Sequence, residues 1–139
     1  MIELDNRTTL NVNEEFLNSI AAKFTQKEIE LIITDNKEIK EINAQYRSID
    51  KATDVLSFPY EDSPMAPLGS IIISQNFVKD KASELRHSED EELTLLFIHG
   101  LLHILGYDHE VDSGEMRQME KKLIEELSLP TSLIVRTEG

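Results

Sequence analysis

Residues 88–109 read SEDEELTLLFIHGLLHILGYDH. Ser88 with Glu91 three residues on has the form of a capping box, and Glu89, Asp90, Glu91 and Glu92 fall where the positive end of a helix dipole favours acids. A helix therefore starts here. From Leu93 to Leu105 it is apolar nearly all round, the mark of a helix buried in the middle of a domain, and Gly106 supplies the stop. A helix of this kind must be covered by other layers on every side.

The flanking sequence provides those layers. Ile2 to Leu4 reads as a short first strand, and Asn13 to Phe24 carries Phe16, Leu17, Ile20, Ala21 and Phe24 at helical spacing. Glu28 to Thr34 is a β-branched strand followed by Asp35-Asn36, which can cap a helix over about Lys37 to Tyr46. Arg47 to Ala52 is loop-like, Thr53 to Phe58 reads as a strand stopped by Pro59, and Glu61 to Pro67 is a loop. Leu68 to Ser74 is a strand with three consecutive isoleucines, and Gln75 to Leu85 returns to helical spacing. Beyond the buried helix, Asp112 with Glu115 can cap a last helix whose stripe is Met116, Met119, Leu123, Ile124 and Leu127. The order predicts an α/β (α+β type) domain over residues 1–139: a small mixed four-stranded sheet packed with about five helices, the central buried one carrying two metal-ligand histidines.

Composition narrows the chemistry. The 139 residues carry 14 Lys+Arg against 27 Asp+Glu, a formal charge of −13, with no cysteine and no tryptophan. Without cysteine there are no disulfides, thiol nucleophiles or thiolate metal sites, so a transition metal must be held by histidine and carboxylate. The N-terminus has no basic stretch followed by an apolar one, which predicts no secretory signal and a cytoplasmic location. The most apolar stretch, Leu93 to Tyr107, is too short and too interrupted to span a membrane. A charge of −13 also disfavours sequence-independent attraction to nucleic acid.

Three of the four histidines lie within residues 99–109. His99 and His103 are four apart and project from one helix face, and Gly106 can turn the chain so that His109 returns to the same point. Three imidazoles with an open fourth position make a catalytic rather than a structural zinc geometry, although iron or nickel would also accept them. An ionisable pair inside a buried apolar helix needs a partner, and a metal is the simplest common one. The spacing matches that of the metzincin peptidases, but Gly100 stands where His-Glu-x-x-His peptidases carry their glutamate base. A glycine inside a helix costs about 1 kcal/mol relative to alanine, which points to close approach there, of substrate or of packed backbone. Asp108 and Glu110 flank the third histidine and read either as outer partners of an imidazole or as solvated loop carboxylates. His87 reads as a surface residue rather than a ligand, and Met116 as core.

The segment from His99 to His109, with Tyr46-Arg47 and Thr53-Asp54-Val55-Leu56-Ser57-Phe58-Pro59, resembles the bacterial YbeY family of endoribonucleases over almost the whole chain. The resemblance implies an α/β fold with a four-stranded sheet and one zinc ion on His99, His103 and His109. It implies a single-strand-specific endoribonuclease in small-subunit ribosomal RNA maturation and ribosome quality control, so single-stranded RNA and the small ribosomal subunit are the expected partners. The family's functional arginine falls on Arg47, whose fork of donors suits a phosphate. One departure is Leu68-Gly69-Ser70-Ile71, where many members have Leu-Gly-Asp-Ile.

Two other classes stand beside this one: a metzincin-like zinc peptidase, and a ribosome-assembly binding protein with a structural metal. The acidity also has to be reconciled locally. Arg47 and Lys51 precede the Thr53 strand and a divalent ion adds +2, while much of the acid lies in helix caps and the final helix. The expectation is a small cationic cleft with weak, salt-sensitive affinity for free RNA, supplied by a partner.

Overall fold

A computed structural model describes residues 1–61, 63–108 and 112–129. The elements run β1 (Ile2–Asn6), α1 (Glu14–Ala21), β2 (Ile29–Thr34), α2 (Asn36–Arg47), β3 (Val55–Pro59), β4 (Gly69–Ser74), α3 (Gln75–Leu85), α4 (Glu89–Ile104) and α5 (Glu115–Glu126). The sheet order is β1-β2-β4-β3. β1, β2 and β4 are parallel, and β3 runs antiparallel to β4 at the edge. Among the described residues a mixed four-stranded sheet with five helices is thus found, the architecture the sequence predicts.

Alternation along the strands sorts the core into two layers, because successive side chains point to opposite faces. Ile29, Leu31, Ile33, Ile71 and Ile73 face one side and join α1, α4, Val78 of α3, and Met116 and Leu123 of α5. Leu56 and Ile72 face the other side and pack with Ile39 of α2. The three consecutive isoleucines of β4 therefore serve both layers, which is why no polar residue interrupts them.

α4 is the centre of the first layer. The Ser88 and Glu91 side chains cap each other's backbone reciprocally, and eleven of its 16 residues are buried. At its far end Gly106 has φ +105°. There Gly106 N–H donates to His103 O and Tyr107 N–H to Leu102 O at 3.1 and 3.0 Å, the double closure that a glycine just past a helix permits.

The helix lies on the sheet with no clearance. A Cβ at Gly100 would stand 2.8 Å from Ile71 Cγ2 and 3.2 Å from Ser57 Oγ, and one at Gly69 would stand 2.6 Å from Phe58 O and 3.0 Å from Ile104 Cδ1. Of the two readings open for Gly100, close approach of packed protein is the one observed.

Several boundaries differ from the sequence reading. Helix α1 ends at Ala21 rather than Phe24. Pro59 does not stop β3 but closes it, paired with Gly69; at an edge strand the missing N–H can face away from the ladder. Asp112 acts from two residues before the cap of α5, accepting from Gly114 N at 2.8 Å and from Met116 N at 3.0 Å. Among the described residues no helix is long and apolar enough to cross a membrane.

Gly100→Ala sets about 1 kcal/mol of gained helix propensity against about 1–3 kcal/mol of overpacking into the fully buried Ile71. We expect overpacking to prevail, with urea unfolding showing a net loss of about 1–2 kcal/mol. An unchanged or raised midpoint would show that the helix can lift off the sheet.

Candidate functional site

His99 and His103 leave α4 one turn apart on one face of the helix. Their ring centroids are 4.7 Å apart, inclined at 76°, and the two Nε2 atoms stand 3.1 Å from each other. Both rings are half-buried. The His99 ring is held from behind: Nδ1 lies 2.8 Å from Glu120 Oε1, and the Glu120 side chain is only 2% exposed. A carboxylate can only accept, so this contact puts the proton of neutral His99 on Nδ1 and leaves the Nε2 lone pair directed at His103.

That arrangement fits the expected donor set. Two nitrogens bound tetrahedrally to one zinc ion at about 2.0–2.1 Å stand about 3.3 Å apart, close to the separation observed. A buried carboxylate on the remote nitrogen is the usual outer partner of a metal-binding histidine. Among the described residues no three His, Asp or Glu side chains gather to hold an ion; His109, the third expected ligand, lies outside the described residues, as does Glu110. The Gly106 turn does bring the chain back, since Asp108 lines the same cleft as His99 and His103.

The cleft encloses about 440 Å3. It is lined by His99, His103 and Asp108, by Thr53, Asp54, Val55, Ser57 and Pro59 along β3 and the segment before it, and by Arg47. Arg47 is the last residue of α2, which ends at Ser48 in the left-handed conformation. The following loop is tied back by Asn43, whose Nδ2 donates to Lys51 O at 3.0 Å. Because β3 has only one neighbouring strand, its outer edge offers backbone acceptors, and Arg47 Nη2 donates to Ser57 O at 2.9 Å. The guanidinium also lies over the Phe58 ring, 5.4 Å from its centroid. One donor and one face of Arg47 are thus used to aim it, at a position that lines the cleft.

The structure brings Arg47, His99 and His103 to one cleft. His87 precedes α4 at the end opposite the histidine pair and does not line the cleft, and Met116 is core at 1% exposure. Asp108 faces the cleft rather than standing as a solvated loop residue. Of the two cations expected at the cleft only Arg47 lines it, beside Asp54 and Asp108, while Lys51 is not part of it, so a positive cleft requires the +2 of the expected ion. Ser70 is buried on the sheet face turned away from the histidines, opposite Phe58. It adjoins Tyr60, whose hydroxyl donates to Glu30 Oε2 at 2.6 Å and whose pKa burial and Glu30 hold above the usual phenol range.

Two residues were not anticipated. Glu120 falls within the apolar stripe of α5, four residues after Met116 and four before Ile124, and a charge in such a stripe is the signal that could have revealed it. Asp54 was visible only as part of the Thr53–Pro59 motif. Its Oδ1 accepts from Val55 N at 2.8 Å and opens β3 while the residue faces the cleft.

A family profile described as Endoribonuclease YbeY matches residues 2–128. A Sulfurimonas denitrificans protein named Endoribonuclease YbeY is 60% identical over the full length of both chains. A Sulfurovum protein of the same name is 57% identical, covering 99% of this chain and 98% of its own. In fold, a Thermotoga maritima protein solved in solution is similar with a TM-score of 0.63 at 30% identity, covering 91% of this chain and 89% of its own.

Nitrogen–proton correlation spectra of the imidazoles check the site geometry directly. His99 should show the Nδ1–H tautomer in the wild type, and Glu120→Ala should shift it toward the Nε2–H form while His87 stays unchanged. A wild-type Nε2–H signal for His99 would contradict the aimed lone pair.

Proposed function

The chain belongs to the YbeY endoribonuclease family, and from that premise we propose that it is a single-strand-specific, metal-dependent endoribonuclease. It works as one domain over residues 1–139 in small-subunit ribosomal RNA maturation and ribosome quality control, in the cytoplasm. The observation that supports this best is that Arg47, His99 and His103 line a single cleft. An always-charged phosphate donor and an imidazole pair of metal-binding geometry are two parts that metal-assisted phosphodiester hydrolysis uses.

In this reading His99, His103 and His109 would hold one zinc ion, which when bound would supply Lewis acidity toward the phosphodiester and the attacking water. Glu120 keeps His99 in the ligating tautomer. Arg47, steadied by Ser57 O and Phe58, grips a non-bridging phosphate oxygen and stabilises the charge that grows on it in the transition state. A carboxylate of the cleft, Asp108 or Asp54, takes the proton released by water.

In this reading an unpaired strand lies in the cleft at the β3 edge, where a duplex would have to fit its full width. The acidic chain gives little long-range attraction for RNA, which accords with delivery of the strand on the ribosomal small subunit. Peptide hydrolysis is the poorer reading, because position 100, where the related peptidases keep their base, is closed by Ile71 and Ser57.

Purified protein should carry about one transition-metal ion per chain and cut unstructured RNA in preference to duplex. Arg47→Ala should lower cleavage at least about 100-fold with metal content retained, and His99→Ala should lose both. A fully active Arg47→Ala protein would remove that residue from the mechanism. Cleavage of a peptide panel without cleavage of RNA would overturn the assignment.

A further inference from the structure

Tyr46 immediately precedes Arg47, yet its side chain lies outside the cleft and is 66% exposed, an unusual state for a large aromatic ring. It is exposed but not loosely placed. Its ring meets that of Phe58 edge to face, with centroids 5.7 Å apart and inclined at 61°. Phe58 in turn is anchored on the core of the second layer, against Leu56 and Ile72. Among the described residues the Tyr46 hydroxyl has no hydrogen-bond partner. Nearby Ile49 is also exposed, at 47%.

Phe58 is the common support of two groups, the Arg47 guanidinium and the Tyr46 ring. A phosphate held by Arg47 therefore has an oriented, open aromatic surface within the reach of its own or the adjacent nucleotide. We propose that Tyr46 is the stacking platform for one unpaired nucleobase of the bound strand, on the α2 face of the sheet, while Arg47 holds the phosphate at the β3 edge. This rests on the reading of the cleft as an RNA site.

The charge of the molecule supports that occupant. A chain of net charge −13, whose cleft sets two aspartates against one arginine, gains little from counterion release. Stacking is indifferent to charge and to sequence, because every base has a π-face, and it discriminates against duplex, whose bases are already stacked. The platform thus supplies single-strand preference from a residue that touches no reacting atom.

The test is steady-state cleavage of a short single-stranded RNA by the metal-loaded protein at several salt concentrations, together with a set of the same RNAs carrying one abasic nucleotide at successive positions. Tyr46→Ala should raise KM about tenfold with kcat unchanged and with an unchanged salt slope, while Tyr46→Phe and Tyr46→Trp keep the wild-type KM. One abasic position should raise KM for the wild type and have no further effect in Tyr46→Ala. An unchanged KM in Tyr46→Ala would overturn the platform, as would an abasic penalty that persists in that variant, or a fall in kcat alone. In each of those results wild-type cleavage leaves the proposed function standing. Wild-type protein that cuts no single-stranded RNA would overturn both.

Discussion

The contact on which this molecule depends is the seat of α4 on the sheet at Gly100. A helix carrying two histidines in a buried layer can sit this close to β3 and β4 only because the residue between them has no side chain, leaving Ile71 and Ser57 to fill the space. That seat lets Ser57 serve both sides of the edge strand. Its Oγ occupies space that a Cβ at Gly100 would need, and its carbonyl takes the hydrogen bond from Arg47. The helix that carries the histidines and the carbonyl that anchors Arg47 are thereby tied to the same residue.

A second layer of support comes from residues that never reach the cleft. Glu120 arrives from α5, and its place behind His99 couples the docking of that helix, through Met116 and Leu123, to the orientation of an imidazole. Phe58 does the same for Arg47 from the opposite face of the sheet. Electrostatically the cleft is mixed, with one arginine against two aspartates. A bound divalent ion would turn that local sum positive without altering the acidic character of the whole. In the proposed function this accords with a substrate presented by a larger assembly rather than captured from solution.

Much of this was legible in the residues. The Ser88/Glu91 box, the glycine after Leu105 and the isoleucine run of β4 each obey a local rule, and the structure obeys those rules too. The histidine pair was legible for the same reason: four residues on one helix is a geometric statement. What escaped depends on contacts distant in the chain. Glu120 lies 21 residues from the imidazole it orients, and only its place in an apolar stripe hints at burial. The role of Gly100 could not be chosen until the sheet beneath it was known. Pro59 misled because a proline that breaks a central strand is tolerated at an edge, and the edge is a property of sheet order.

The central claim is that the imidazoles of α4 and of the turn beyond it converge on one catalytic ion. X-ray absorption at the zinc edge, on protein purified with its native metal content, addresses it most directly. The account predicts a first shell of nitrogen and oxygen at about 2.0–2.1 Å, with the multiple scattering of three imidazoles and at least one further oxygen. A spectrum without imidazole scattering, or protein that carries no stoichiometric ion, would contradict it.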